Sequence, residues 1–295
     1  MDAGQSGVRL RLDDILLPEQ PGVRTSLPVI PQLAQITRQA LTIAGGTTDA
    51  LAIGSTALRS TSSAAELLRQ VAYLGVKRVA LAHDSVTSYL GALSTARGAI
   101  VAAGTGVVTL AVGVASVARV DGWGNLIGDA GSGYWIGRAG LDAVMRAHDG
   151  RGPATALTAV VEPDFADLEA AYIDLQNDRD RVHRIASYAK TVAALADADE
   201  VCAQITAAAA AELARSARTA LHRVAEDTAE VTHVAELGKV FLSDRLRGLF
   251  ESALHDAVPG ARVVPSQGNG LDGAGLLLGL PDDSPLRASV SYAQG

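Results

Sequence analysis

The stretch Gly128-Asp129-Ala130-Gly131-Ser132-Gly133-Tyr134-Trp135-Ile136-Gly137 combines closely spaced glycines with one carboxylate and two hydroxyl groups. Apolar residues then recur at helical spacing from Leu141 onward, so the pattern predicts a glycine-rich turn that enters a helix. Such a turn brings backbone N–H groups and the positive end of the helix dipole close to a ligand. It suits an anionic or polyhydroxylated ligand, and the alternative is a tight structural turn capped by Ser132.

Two further glycine turns lie between predicted strands. The chain opens with Asp2-Ala3-Gly4-Gln5-Ser6-Gly7, which the alternating run Val8–Leu12 follows. The apolar run Ala99–Ala103 is interpreted as a buried strand, and Gly104-Thr105-Gly106 separates it from a second strand, Val107–Val112. Each turn therefore places a hydroxyl residue between glycines at a strand end.

This arrangement is typical of a phosphate clamp, because backbone N–H groups surround the phosphate oxygens while Ser6 and Thr105 add hydroxyl donors. Asp2 is the carboxylate expected to hold a hydrated Mg²⁺ beside those phosphates. The residues predicted to bind phosphate are Gly4, Gln5, Ser6, Gly104, Thr105 and Gly106.

The length and composition of the chain allow two lobes, each with its own core. The chain has 295 residues, 48% of them apolar, and a net charge of −7 without long blocks of one sign. Nucleic acid is therefore not an expected partner. No apolar run is long enough to span a bilayer and no secretion signal opens the chain, so the expected location is the cytoplasm. The single cysteine, Cys202, excludes an intrachain disulfide and argues against a structural zinc site.

The pattern along the chain divides it into an N-terminal α/β lobe over 1–100 and a C-terminal α/β lobe over 101–295. The second lobe contains a helical region at about 138–237. The predicted strands include Asp49–Gly54, Val79–Ala82, Val240–Leu242 and Arg262–Val264, and the predicted helices include Ser63–Leu74, Asp164–Asn177, Arg181–Leu195, Ala198–Asp227 and Leu246–Ala257.

The order of these motifs resembles a known family. Asp-x-Gly-x-Ser at the start is followed by His83-Asp84-Ser85, by Gly104-Thr105-Gly106, by Gly122-Trp123-Gly124 and by the stretch that begins at Gly128. This series is similar to the N-acetylglucosamine kinases of the BadF/BadG/BcrA/BcrD ATPase family, in the actin–hexokinase–chaperone ATPase superfamily. The resemblance implies a two-lobed, ribonuclease H-like α/β fold of the actin/hexokinase type, with a central cleft and a helical insertion in the second lobe. It also implies a kinase that uses ATP and Mg²⁺ to phosphorylate the 6-hydroxyl group of an amino sugar.

The resemblance assigns the general base to Asp84. A sugar hydroxyl has a high pKa, so a carboxylate must take its proton as the new bond forms. Asp84 directly follows a buried strand, where a side chain can point into a cleft, and the alternative is a helix cap. The residues expected to bind sugar are Asp84, Thr105, Trp123, Gly124, Asn125 and Asp129.

The chain departs from the family pattern at three places. Only Met1 precedes Asp2, although the opening strand of relatives has several apolar residues at this point; we expect that strand to be central in its sheet and further residues to lie upstream. Ser243 and Asp244 are expected at the nucleotide, in the loop where relatives carry a glycine pair after an apolar strand. Ala130 replaces an acidic residue after Asp129.

Two other function classes stay open. The first is a catalytically weak or inactive protein that binds sugar or nucleotide. The second is the redox activator ATPases of the same family, which hold an iron–sulfur cluster with cysteines from each subunit, whereas this chain has one cysteine. The sequence does not choose among amino sugars, and a homodimer is the default expectation.

Overall fold

A computed structural model describes residues 1–59 and 61–295 and shows an α/β protein with two sheets. The strands are β1 Asp2–Ala3, β2 Val8–Leu12, β3 Ile15–Gln20, β4 Ala50–Ser55, β5 Arg78–His83, β6 Gly98–Ala103, β7 Val107–Val112, β8 Val117–Val120, β9 Thr232–Leu237, β10 Ala261–Val264 and β11 Val290–Gln294. The helices are α1 Val29–Ala44, α2 Ala64–Val71, α3 Asp84–Leu93, α4 Gly133–His148, α5 Leu157–Val161, α6 Ala171–Asn177, α7 Arg181–Leu195, α8 Glu200–Arg223, α9 Asp244–Ala257 and α10 Gly270–Leu276. Among the described residues, no helix combines the length and the apolar character needed to cross a membrane.

The chain forms two compact units. Unit 1 comprises Met1–Ile100, Val112–Val117 and Pro265–Gly295, and unit 2 comprises Val101–Ala111 and Ala118–Val264. The second lobe expected over 101–295 therefore loses its C-terminal residues to unit 1.

The physical reason for this correction is long-range pairing. Strand β11 pairs antiparallel with β5, and α10 packs against α3 so closely that a side chain at Gly273 would collide with the Thr87 carbonyl group. The C-terminal residues thus complete both the sheet and the helix layer of unit 1.

The sheet of unit 1 has the strand order β11-β5-β4-β1-β2-β3. Strands β1, β4 and β5 run parallel, and β2 pairs antiparallel with β1. The two-residue strand β1 lies between β4 and β2, which confirms its expected central position. Helix α2 buries Ala64, Leu67, Leu68 and Val71 on one face, as its spacing predicted, and Ser63 caps it by accepting from the Glu66 N–H.

The second sheet has the strand order β10-β9-β6-β7-β8. Helix α7 spans the residues predicted for it, and α8 buries alanines such as Ala209 and Ala217 that permit close helix packing. The predicted strand at Val240–Leu242 is wrong, because Lys239–Leu242 forms a short 3-10 helix and the strand of this region is β9. Strand β9 also occupies the end of the region predicted to be helical.

Candidate functional site

The turn Gly104–Gly106 is joined to the start of α4 by backbone hydrogen bonds. The N–H of Gly133 donates to Gly104 O at 2.8 Å, and the N–H of Tyr134 donates to Thr105 O at 3.0 Å. Ser132 caps the helix by accepting from the Trp135 N–H at 3.2 Å. The helix start was expected to offer free N–H groups to an anion, but two of these donors hold the turn and the third binds the Ser132 cap.

Asp129 lies directly beside this turn. It adopts a positive φ of 60° and is only 7% exposed, and its Oδ1 accepts from the Gly124 N–H at 3.2 Å. Burial raises the pKa of its carboxyl group, the nearby Asp121 raises it further, and backbone hydrogen bonds from Val107 and Gly124 act in the opposite direction. The structure thus brings Thr105, Gly124 and Asp129, all predicted to bind sugar, into one hydrogen-bonded region.

Gly106 makes this arrangement possible. A Cβ atom at Gly106 would lie 2.6 Å from Asp129 Oδ2, whereas a Cβ at Gly104 would have no heavy atom within 4 Å. The missing side chain at Gly106 therefore leaves the space in which the Asp129 carboxylate lies.

The sequence interpretation missed Asp121, which organises the turn. Its carboxylate accepts from the Asp129 N–H at 2.8 Å and from the Ala130 N–H at 3.0 Å, and its own φ is 59°. An aspartate directly before Gly122-Trp123-Gly124 was the available signal, since aspartate tolerates positive φ and bonds nearby backbone N–H groups. With its N–H bound in this way, Ala130 lies inside the turn that presents Asp129.

Trp123 is 61% exposed, and the Arg119 guanidinium lies 5.1 Å from the centre of its ring. The same guanidinium donates to the Gly122 carbonyl group, which holds it in place. An exposed indole supported by a cation offers an aromatic surface suited to the apolar face of a pyranose ring. Asn125 follows in the same loop and is half-buried.

Unit 2 contains a cavity of about 830 Å³ next to the Gly104–Gly106 turn. Gly104 and Thr105 form one side of the cavity, one face of α7 forms another, and residues 239–246 complete it. Both Ser243 and Asp244, predicted to contact nucleotide, line this cavity. Ser243 is also the N-cap of α9, because its Oγ accepts from the Leu246 N–H at 3.3 Å.

The close backbone approach expected from a glycine pair occurs at Gly238, directly after β9. Gly238 has a φ of 98°, and a Cβ atom there would collide with the carbonyl oxygen of Ala103. The loop therefore keeps one glycine after an apolar strand, and Lys239 stands in the next position. The sequence interpretation placed the preceding strand at Val240–Leu242. It therefore aligned Ser243 and Asp244, rather than Gly238 and Lys239, with the glycine pair of relatives.

A further carboxylate of this region was not predicted. Glu236 lies near the end of β9, and its Oε1 is buried without a hydrogen-bond partner. Burial raises the pKa of Glu236 to about 7, with a further contribution from Glu251, while Arg247 lowers it. Partial burial and the nearby Glu251 thus favour the protonated form of Glu236.

Asp84 lies in unit 1, in the first turn of α3. The N-cap of this helix is His83, whose Nδ1 lies 3.3 Å from the Ser85 N–H and 2.8 Å from Asp84 Oδ1. The Asp84 side chain is 30% exposed. The alternative role of Asp84 as helix cap is therefore filled by His83.

Unit 1 also contains Asp2 and the turn Gly4–Gly7. The Gly4 N–H donates to Gly7 O at 3.0 Å, which closes the turn and leaves Gln5 and Ser6 exposed. Asp2 is buried, and its Oδ2 accepts from Arg9. Its second oxygen has no partner among the described residues, and carboxylate oxygen is a ligand that Mg²⁺ prefers, so the donor chemistry fits a magnesium ion held through water.

The comparisons with known proteins agree with this architecture. Residues 34–277 match the BadF/BadG/BcrA/BcrD ATPase family. The chain is 25% identical over 224 residues to the N-acetylmuramic acid/N-acetylglucosamine kinase of Clostridium acetobutylicum, a match that covers 72% of this chain and 70% of the relative.

Two solved structures show the fold. A protein from Chromobacterium violaceum, described as a candidate N-acetylglucosamine kinase, matches with a TM-score of 0.71 and 24% identity over 94% of this chain and 96% of that one. The ROK hexokinase of Thermus thermophilus matches with a TM-score of 0.55 and 13% identity over 97% of each chain. The predicted α/β fold of the hexokinase type is thereby confirmed. Because the family match extends over most of its length, the chain belongs to the BadF/BadG/BcrA/BcrD ATPase family.

Proposed function

We propose that this chain is an ATP-dependent sugar kinase that phosphorylates the 6-hydroxyl group of an amino sugar such as N-acetylglucosamine. The observation that carries the proposal is the cavity of unit 2, which borders the Gly104–Gly106 turn in a chain of this ATPase family. The kinase from Clostridium acetobutylicum, whose name includes both N-acetylmuramic acid and N-acetylglucosamine, supports an amino sugar as acceptor.

Phosphoryl transfer depends mainly on the position of the reacting groups and on neutralisation of charge. In this proposal Asp84, whose side chain is partly exposed, takes the proton of the sugar hydroxyl. Asp129 accepts hydrogen bonds from other sugar hydroxyls. Its carboxylate is held for this role by the space beside Gly106, by the Gly124 N–H and by the turn around Asp121.

Trp123 forms the aromatic wall for the sugar ring, and Asn125 and Thr105 add polar contacts. The turns Gly4–Ser6 and Gly104–Gly106 bind phosphate oxygens. Asp2 would hold Mg²⁺ through water, and the chemistry that this ion supplies is neutralisation of phosphate charge.

The cavity is assigned to the nucleotide. Its apolar lining, which includes Ile136, Val240 and Leu246, can accept a purine base, and the Ser243–Asp244 segment lies at its margin. The side chain of Asp244 is paired with Arg247 at 2.7 Å, so its charge is compensated.

The redox activator alternative requires a cysteine thiolate that can bind an iron–sulfur cluster. Cys202 is fully buried in α8, and burial raises the pKa of its thiol to about 12, with Asp199 contributing. This environment keeps the thiol protonated, which argues against cluster ligation at Cys202.

A coupled assay of ADP formation tests the proposal. The purified chain is incubated with Mg-ATP alone or with N-acetylglucosamine, glucosamine, N-acetylmuramate or N-acetylmannosamine. We expect ADP formation that depends on an amino sugar and is absent with its 6-deoxy analogue. Turnover of equal rate without sugar would indicate an activator ATPase, and saturable sugar binding without turnover would indicate an inactive binding protein; either result contradicts the proposal.

A further inference from the structure

Lysine is rare in this chain, and two lysines line the same cavity. Of the 25 lysine and arginine residues, only Lys77, Lys190 and Lys239 are lysines. Lys190 and Lys239 both line the cavity of unit 2, whereas Lys77 lies exposed before β5 in unit 1. Two of the three lysines of the chain thus lie at one cavity.

The two lysines carry uncompensated charge. The acidic residues of the cavity lining are bound by arginines, Asp197 by Arg245 at 2.6 Å and Asp244 by Arg247 at 2.7 Å. Among the residues that the structure describes, neither lysine has an ion pair or hydrogen bond. A chain with a net charge of −7 therefore keeps two unpaired ammonium groups at one concave surface.

The lysines approach the cavity from different elements. On α7, His183, Ala186, Lys190 and Ala193 lie at helical spacing along the face that lines the cavity, with Lys190 near the middle. The alanines leave room for a ligand beside its long side chain. Lys239 comes from the segment 239–246, directly after the glycine that lies against the end of β6.

Two backbone donors at the start of α4 are already used within the protein. The N–H groups of Gly133 and Tyr134, at the start of α4, are already bound to the carbonyl groups of Gly104 and Thr105. A phosphate chain in the cavity therefore needs side-chain donors in addition to the Gly104–Gly106 turn. An ammonium group on a flexible stem offers three donors that can follow a phosphate chain.

We propose that Lys190 and Lys239 bind the phosphate chain of the nucleotide, so that the cavity selects nucleoside di- and triphosphates over the nucleoside. This inference rests on the proposed function, because it assigns the cavity to the phosphoryl donor. It adds two residues that determine donor specificity. Lys239 follows Gly238, where relatives carry the second glycine of a pair. The proposal gives its side chain a role that glycine cannot have.

Isothermal titration calorimetry with ADP and with adenosine tests the inference. Lys190→Ala and Lys239→Ala are compared with Lys77→Ala, which removes the third lysine in the other unit. We expect each cavity variant to raise the Kd for ADP about tenfold, as expected for loss of a charged hydrogen bond. The Kd for adenosine should be unchanged, and Lys77→Ala should bind both ligands like the unsubstituted chain.

Salt dependence provides a second measurement. ADP binding by the unsubstituted chain should weaken as salt concentration rises, and Lys190→Ala/Lys239→Ala should lose most of this dependence. Lys190→Arg and Lys239→Arg, which keep the charge, should retain most of the affinity and show that the alanine variants lose charge rather than structure. Unchanged ADP affinity in the alanine variants, or an equal loss of adenosine affinity, would overturn this inference alone. Failure of the unsubstituted chain to bind ADP at all would overturn the proposed function as well.

Discussion

Substitution of Gly106 by alanine should disturb the Asp129 carboxylate without straining the backbone. The new Cβ would lie 2.6 Å from Asp129 Oδ2, and ordinary contact begins near 3.4 Å, so the carboxylate must move by roughly 0.8 Å. Asp129 is buried and bound to the Gly124 N–H, and this movement breaks the hydrogen bond. We expect a loss of about 2 kcal/mol in unfolding free energy, the usual cost of a hydrogen bond to a charged group.

The effect on activity should be larger for the sugar than for the nucleotide. A displacement of this size at a substrate-binding group can lower kcat/KM by as much as ~10²-fold. The assay measures kcat/KM for the amino sugar at saturating ATP, together with the urea midpoint. Gly104→Ala is the matched control, because its Cβ meets no heavy atom within 4 Å. It should unfold like the unsubstituted chain, and any kinetic effect should fall on the KM for ATP.

A double-mutant cycle isolates the contact. In an Asp129→Ala background the space beside residue 106 is open, so Gly106→Ala should add no further loss of stability. Equal midpoints and equal sugar kinetics for Gly106→Ala and Gly104→Ala would refute the reasoning. So would full additivity in the cycle.

Three further substitutions test other parts of the site. Asp84→Asn should lower kcat by ~10²–10⁴-fold with an unchanged melting temperature, because His83 caps α3; near-normal turnover would exclude a general base at this position. Glu236→Gln should stabilise the protein above pH 7 by about 1–3 kcal/mol, discounted for partial exposure, and melting temperatures at pH 8 and pH 5.5 measure the effect. Because the pKa of Glu236 is raised to about 7 in the folded state, the unsubstituted chain should become more stable as pH falls from 7 towards the unfolded value of 4.5. Glu236→Gln should lack this increase, whereas the control Glu230→Gln, at an exposed position, should keep it. Ser243→Ala removes the cap of α9 and should cost about 1 kcal/mol, which a lower urea midpoint would detect; an unchanged midpoint would mean that the cap is dispensable.

Local patterns predicted much of the secondary structure because each depends on neighbouring residues. Strands β2 and β7 and helix α7 have the predicted bounds, and Ser132 caps α4 as the alternative interpretation of the glycine-rich stretch proposed. The apolar run Val240–Leu242 misled the prediction because three apolar residues fit a strand and a helical turn equally well. The glycine before it was the better signal, since Gly238 adopts a positive φ directly after the strand.

Features that depend on distant parts of the chain could not be predicted. The place of 265–295 in unit 1 depends on the pairing of β11 with β5, which no local pattern specifies. The shared cavity of Lys190 and Lys239 requires two elements about fifty residues apart to pack beside one turn. The space for Asp129 beside Gly106 likewise exists only after the turn docks on α4.

The division of unit 1 into three segments has a consequence for how the chain folds during synthesis. Its edge strand β11 and helix α10 emerge from the ribosome last, after all of unit 2. Unit 2 can therefore fold while unit 1 still exposes the edge of β5 and the surface of α3 that α10 covers. Elongation at about 5–20 residues per second makes this interval long compared with the folding of a small domain. During this interval, chaperones that bind exposed apolar surface would act mainly on the unfinished unit 1.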